Sequence, residues 1–63
     1  MPLVQITMLT GRTVDQKRKL AKRITDAMVE EAGAPREGVV VTFNELSKEN
    51  YASAGVLVSD KIK

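Results

Sequence analysis

The 63-residue chain contains no cysteine, no histidine and no tryptophan, and its aromatics are one Tyr and one Phe. Without cysteine there is no disulfide framework and no thiolate zinc site. Without histidine the commonest metal ligand is missing, and so are the Ser-His triad, the Cys-His pair and any histidine-based metal centre. The four glycines are scattered, which excludes a phosphate-binding loop and a dinucleotide fingerprint. The carboxylates show no calcium-loop spacing. No apolar run approaches the length of a membrane span, and the N-terminus lacks the charged lead and small-residue cleavage site of a secretory signal. A soluble cytoplasmic protein with no membrane partner is therefore expected. The net charge of +2 is too small to announce a nucleic-acid partner, and so few aromatics give single strands little to stack on.

Absence also bears on stability. A domain of this size buries only about 60% of the surface of its unfolded chain. With no disulfide or metal to staple it, self-association is the remaining device, and an oligomer is expected.

What is present reads as a short mixed fold. Leu3 to Leu9, "LVQITML", is apolar and β-branched and predicts a strand, with Val4, Ile6 and Met8 on one face. Leu3, Gln5, Thr7 and Leu9 fall on the other. "TGRT" makes a turn, and "TVDQ" is a capping-box pattern led by Thr13 and answered by Gln16. From Val14 to about Ala32 there is neither Gly nor Pro, and Leu20, Ile24, Ala27 and Met28 recur at helical spacing. Gly33 suits a left-handed cap and Pro35 stops continuation. Val39 to Glu45, "VVVTFNE", predicts a second strand.

Strand, long helix and strand with short joins make a β-α-β unit with parallel strands and a right-handed crossover. One helix covers one sheet face, so the other face, with Leu3, Leu9 and Val40, needs a partner. The segment from Leu46 onward predicts a small hairpin ending in Val56 to Val58. The whole is a single α+β domain over residues 1–63. Helix charges run against the dipole, with Lys17, Arg18, Lys19, Lys22 and Arg23 in the first half and Glu30 and Glu31 at the end. This is either a solvated face or the mark of two helices packed antiparallel across a two-fold axis.

The eliminations narrow the chemistry to a shifted Lys, Asp or Glu, or to an α-amino group, whose ordinary pKa is about 7.7–8.0. Met1 is followed by Pro2, and a small second residue favours removal of the initiator methionine. The product exposes a rigid secondary amine at the start of a strand. Partial desolvation and a nearby arginine would both lower its pKa, leaving a base suited to moving a proton between oxygen and carbon. The plainer reading of Pro2 is a strand-initiating proline whose missing N–H costs nothing.

Taken together, "MPLVQITMLTGR", the uninterrupted helix, "GAP", "VVVTFNE" and "YASAG" resemble the 4-oxalocrotonate tautomerase family over essentially the whole chain. The resemblance implies subunits that dimerise into a four-stranded sheet with two antiparallel helices, usually as a hexamer of three dimers. It implies an isomerase of aromatic degradation that acts on a small carboxylate substrate, with no metal or organic cofactor. Carried over by position, Pro2 would be the catalytic base, and Arg12 would hold a substrate carboxylate from an adjacent subunit. Tyr51 would wall the pocket, and Leu9 would lie near the substrate. The well-known members carry a second arginine early in the second strand where this chain has Val40, and Arg36 is the candidate substitute. Two alternatives remain open. One is hydratase, dehalogenase or carbonyl chemistry by the same amine; the other is a non-catalytic oligomeric module that binds an anionic partner through Lys17 to Arg23.

Overall fold

A computed structural model of the chain describes residues 2–61. The first strand, β1, spans Leu3–Leu9, the helix α1 spans Val14–Ala32 and the second strand, β2, spans Val40–Leu46. A short antiparallel hairpin follows, β3 at Ala52–Ser53 and β4 at Val56–Leu57, and the last described turn is a helix, α2, at Val58–Lys61. β1 and β2 pair in parallel, from Leu3 opposite Val40 to Leu9 opposite Leu46. This is the β-α-β unit with a C-terminal hairpin that the sequence pattern predicts.

The helix begins and ends for local reasons. Thr13 caps it, with the Gln16 amide donating to the Thr13 hydroxyl at 3.1 Å and the Thr13 amide donating to the Gln16 side chain at 2.9 Å. These bonds satisfy donors that the first helical turn leaves without partners. At the other end Gly33 adopts φ 70°, and the amides of Gly33 and Ala34 both reach the Met28 carbonyl. The left-handed geometry is one that glycine adopts without the Cβ clash other residues meet.

One boundary and two burial assignments differ from the sequence pattern. β2 starts at Val40 rather than Val39, because a 3-10 turn over Arg36–Gly38 takes the Val39 amide, which donates to the Arg36 carbonyl at 3.2 Å. The sheet-facing stripe of α1 is also rotated from the expected one. Lys17, Ala21, Ile24 and Met28 are half-buried, whereas Leu20 and Ala27 are exposed on its flank. Leu9, expected with Leu3 on the open face, is half-buried at the end of β1. The hairpin turn at Ala54 and Gly55 has positive φ at both residues, 52° and 80°, as a tight two-residue loop requires.

The strands show a two-residue alternation from Leu3 to Met8 and from Val40 to Asn44. Val4, Ile6 and Met8 of β1 and Val41 and Phe43 of β2 are half-covered, while Leu3, Gln5, Thr7, Val40, Thr42 and Asn44 are exposed. Among the described residues none is buried. The radius of gyration is 14.9 Å, against about 10.6 Å for a compact domain of this length. One helix laid on a two-stranded sheet cannot enclose a core, so the subunit presents its apolar residues outward. No helix among the described residues is long and apolar enough to cross a membrane.

Candidate active site

Pro2 precedes β1 and is half-buried. Its carbonyl accepts the Val40 amide at 3.0 Å, which ties the start of β1 to the start of β2. Leu3 and Val40, paired in register, are 58% and 43% exposed, so the surface next to Pro2 is apolar. Position 40, where a second arginine would sit by resemblance, carries no charge.

The opposite end of β1 is polar. After Leu9 the Thr10 amide donates to the Leu46 carbonyl at 2.9 Å, holding the chain against the end of β2. Gly11 then turns the backbone at φ 127°, a region in which a side chain is strained. Arg12 follows and leads directly into the Thr13 cap. Of the four arginines, Arg18 is bonded to Asp15 at 3.2 Å and Arg36 to Asp26 at 2.7 Å. Arg12 and Arg23 make no ion pair or hydrogen bond among the described residues. Arg23 lies mid-helix, so Arg12 is the uncommitted guanidinium in a loop. Its five donors and permanent charge suit a carboxylate.

Arg36, the candidate substitute for the arginine missing at position 40, is held within its own chain. Asp26 of α1 accepts from Arg36 Nη2 at 2.7 Å and from Lys22 Nζ at 3.0 Å. The Lys22 hydrogen bond, followed by that of Arg36, holds the Asp26 carboxyl below its ordinary value. Tyr51 lies between the Lys48–Asn50 turn and β3 and is 42% exposed. Its carbonyl accepts the Val58 amide at 2.8 Å, bringing the start of α2 beside it.

These positions do not converge in one subunit. A seven-residue strand separates its own ends by about 20 Å at the usual rise, so Pro2 and Arg12 of one chain lie too far apart to touch one small molecule. Among the described residues the single chain has no pocket. Leu9 is near Arg12 by sequence, and Val40 is bonded to Pro2, but neither group holds both a base and a carboxylate binder.

One pair escaped the sequence reading. Lys17 of α1 and Glu45 of β2 form an ion pair at 2.8 Å, with side chains only 23% and 30% exposed. The signal was available, because Lys17 occupies the stripe shared with Ala21, Ile24 and Met28, where an apolar residue is the rule.

The chain is similar to known proteins along nearly its full length. Residues 2–61 match the family described as tautomerase enzyme. The 2-hydroxymuconate tautomerase of Bacillus subtilis is 47% identical over 60 residues, covering 95% of this chain and 97% of that protein. A solved 4-oxalocrotonate tautomerase isozyme from Methylibium petroleiphilum superposes with a TM-score of 0.91 at 35% identity, covering 95% and 94% of the two chains. A heterohexameric 4-oxalocrotonate tautomerase from Chloroflexus aurantiacus has a TM-score of 0.89 at 28% identity, covering 95% and 97%. The fold, the family match over residues 2–61 and the similarity to whole tautomerases agree: the chain belongs to the tautomerase family and is an isomerase.

Proposed function

We propose that the protein is a keto–enol tautomerase of small 2-hydroxy-dienoate or enolpyruvate-type acids, with Pro2 as its base. Met1 lies outside the described residues, and its removal is a condition of the proposal, since a peptide-bonded Pro2 nitrogen is not basic. The neutral Pro2 amine takes the enol O–H proton, and the oxygen electrons form the carbonyl π bond. The displaced C=C electron pair then takes a proton from the Pro2 ammonium at carbon. The amine is regenerated, and neither metal nor organic cofactor is required.

The observation that carries this reading is the placement of the two groups. A half-buried Pro2 opens β1 and an uncommitted Arg12 follows its far end, so a working site takes Pro2 from one subunit and Arg12 from a neighbour. The absence of any buried residue among the described residues supports the same assembly, because the exposed apolar face of Leu3 and Val40 must leave water to contribute stability. A homohexamer built as three dimers is the form we propose, with a homodimer as the smaller alternative. The hexameric state of the Chloroflexus aurantiacus relative supports the larger form.

In this arrangement Arg12 holds the substrate carboxylate, Tyr51 supplies part of the pocket wall and Leu9 lies beside the carboxylate end. Arg36 becomes available as a second anion-binding group only if it leaves Asp26. Conversion of 2-hydroxymuconate, the compound that names the Bacillus subtilis relative, belongs to the proposal. So does action in the cytoplasm.

Mixing subunits tests the split site directly. Pro2→Ala and Arg12→Ala proteins, each weakly active alone, are unfolded together, refolded and assayed on an enol acid by absorbance. Random co-assembly leaves about a quarter of the sites with both wild-type residues, and activity should rise towards that fraction. No gain on mixing, with hybrid oligomers verified by native mass, would refute the shared site.

A further inference from the structure

Lys17 breaks two local rules at once. A cation in the first turn of a helix opposes the dipole, and a charged residue in the sheet-facing stripe displaces apolar packing. Departures of this kind concentrate where function requires them. Its partner Glu45 comes from a different element, 28 residues away in sequence, at 2.8 Å.

The neighbourhood shows what the pair does. The Lys17 amide closes the first turn of α1 on the Thr13 carbonyl at 3.1 Å, while its ammonium reaches Glu45 near the end of β2. On the entering side, Thr10 is bonded to the carbonyl of Leu46, the residue after Glu45. The end of β2 thus grips the loop before and after its tip. Only Gly11 and Arg12 lie between the two anchored threonines, and Gly11 sits at φ 127°. The loop has little freedom, and its arginine spends no donor on the described residues of its own chain.

We infer that the Lys17–Glu45 ion pair is a positioning device that presents Arg12 to the carboxylate of the substrate. The pair touches no substrate; it acts by fixing the first turn of α1 relative to β2. It has a second consequence. Glu45 is the carboxylate on the strand end facing this turn, and pairing with Lys17 keeps it from capturing Arg12 in competition with substrate. Of the five carboxylate-bearing residues Asp15, Asp26, Glu45, Glu30 and Glu31 on α1 and β2, Asp15 and Asp26 are likewise occupied by cations. The inference rests on the reading of Arg12 as the carboxylate binder.

The experiment compares Lys17→Met, Glu45→Gln and the charge-swapped double variant K17E/E45K with wild type and with Arg12→Ala, each with Met1 removed and oligomeric state verified. On an enol acid the two single variants should raise KM about tenfold with kcat little changed, and the swap should restore most of the loss. Thermal stability alone does not distinguish the roles, so the KM-against-kcat split and the rescue are the readouts. If Arg12→Ala raises KM but folded Lys17→Met or Glu45→Gln leaves it within about twofold of wild type, the positioning role is wrong. If neither single variant folds, a folded swap with the KM of Arg12→Ala overturns it equally. If Arg12→Ala itself leaves KM unchanged, the failure is that of the carboxylate assignment.

Discussion

The two ends of β1 are built from different materials. At the Pro2 end one backbone hydrogen bond to Val40 does the anchoring, and the side chains alongside are the exposed apolar Leu3 and Val40. At the Arg12 end a capping box, a strand-end hydrogen bond and a half-buried ion pair surround a two-residue tip. The difference matches the two tasks proposed for them. An amine is kept unprotonated near neutrality by low-dielectric surroundings. A carboxylate binder needs a fixed charge in a fixed place, with competing acids already occupied.

Breaking the comparison at its basic end should produce the largest effect. Pro2→Ala, with Met1 removed, should lower kcat by about a hundredfold or more, read by enol-acid absorbance, with KM much less altered. Wild-type kcat in that variant would remove Pro2 from the chemistry. At the other end Arg12→Ala should act mainly on KM, raising it about tenfold to a hundredfold, the scale of losing a charged hydrogen-bond pair. A loss confined to kcat would mean that the arginine serves the transition state and would erase the distinction between the ends. The smallest change sharpens it: Thr13→Ala removes the cap behind Arg12 and should cost about 1 kcal/mol of stability in thermal or denaturant unfolding. Its KM should move less than that of Lys17→Met, because the Lys17–Glu45 clamp remains.

The elements that were legible in the chain are those decided by neighbours in sequence. The capping box at Thr13 and Gln16, the left-handed Gly33 and the alternation of Val4, Ile6 and Met8 are local, and each appears where its pattern places it. The misplaced residues are those settled by distant contacts. Leu20 and Ala27 fit an apolar spacing as well as Ala21 does, and the sheet selects Ala21 together with the expected Ile24 and Met28. Lys17 reads as one of several surface cations until β2 brings Glu45 to it. Arg36, four residues before Val40, reads as available until the crossover sets it against Asp26.

The salt bridges divide in the same way. Arg18 and Lys19 with Asp15, and Lys22 with Asp26, follow helical spacing and are the exposed pairs worth least. They also answer much of the basic run that opposes the helix dipole, without reference to any partner subunit. Lys17–Glu45 and Arg36–Asp26 cross between elements, tying α1 to β2 and to the turn that precedes β2.

By itself the amino-acid sequence determined the order of elements, the parallel pairing, the two helix caps and a chemistry without histidine, cysteine or thiolate metal. These follow from periodicity, backbone preference and the inventory of side chains, all of which act over a few residues. The tertiary structure decided which helix stripe meets the sheet, which loop arginine is left uncommitted among the described residues and how far Pro2 lies from Arg12. Those depend on groups many residues apart being brought within a few ångströms, or being held apart by a rigid strand. With no residue buried among those described, the apolar face is left for other chains to cover, and the same extended geometry separates the two groups proposed as base and carboxylate binder.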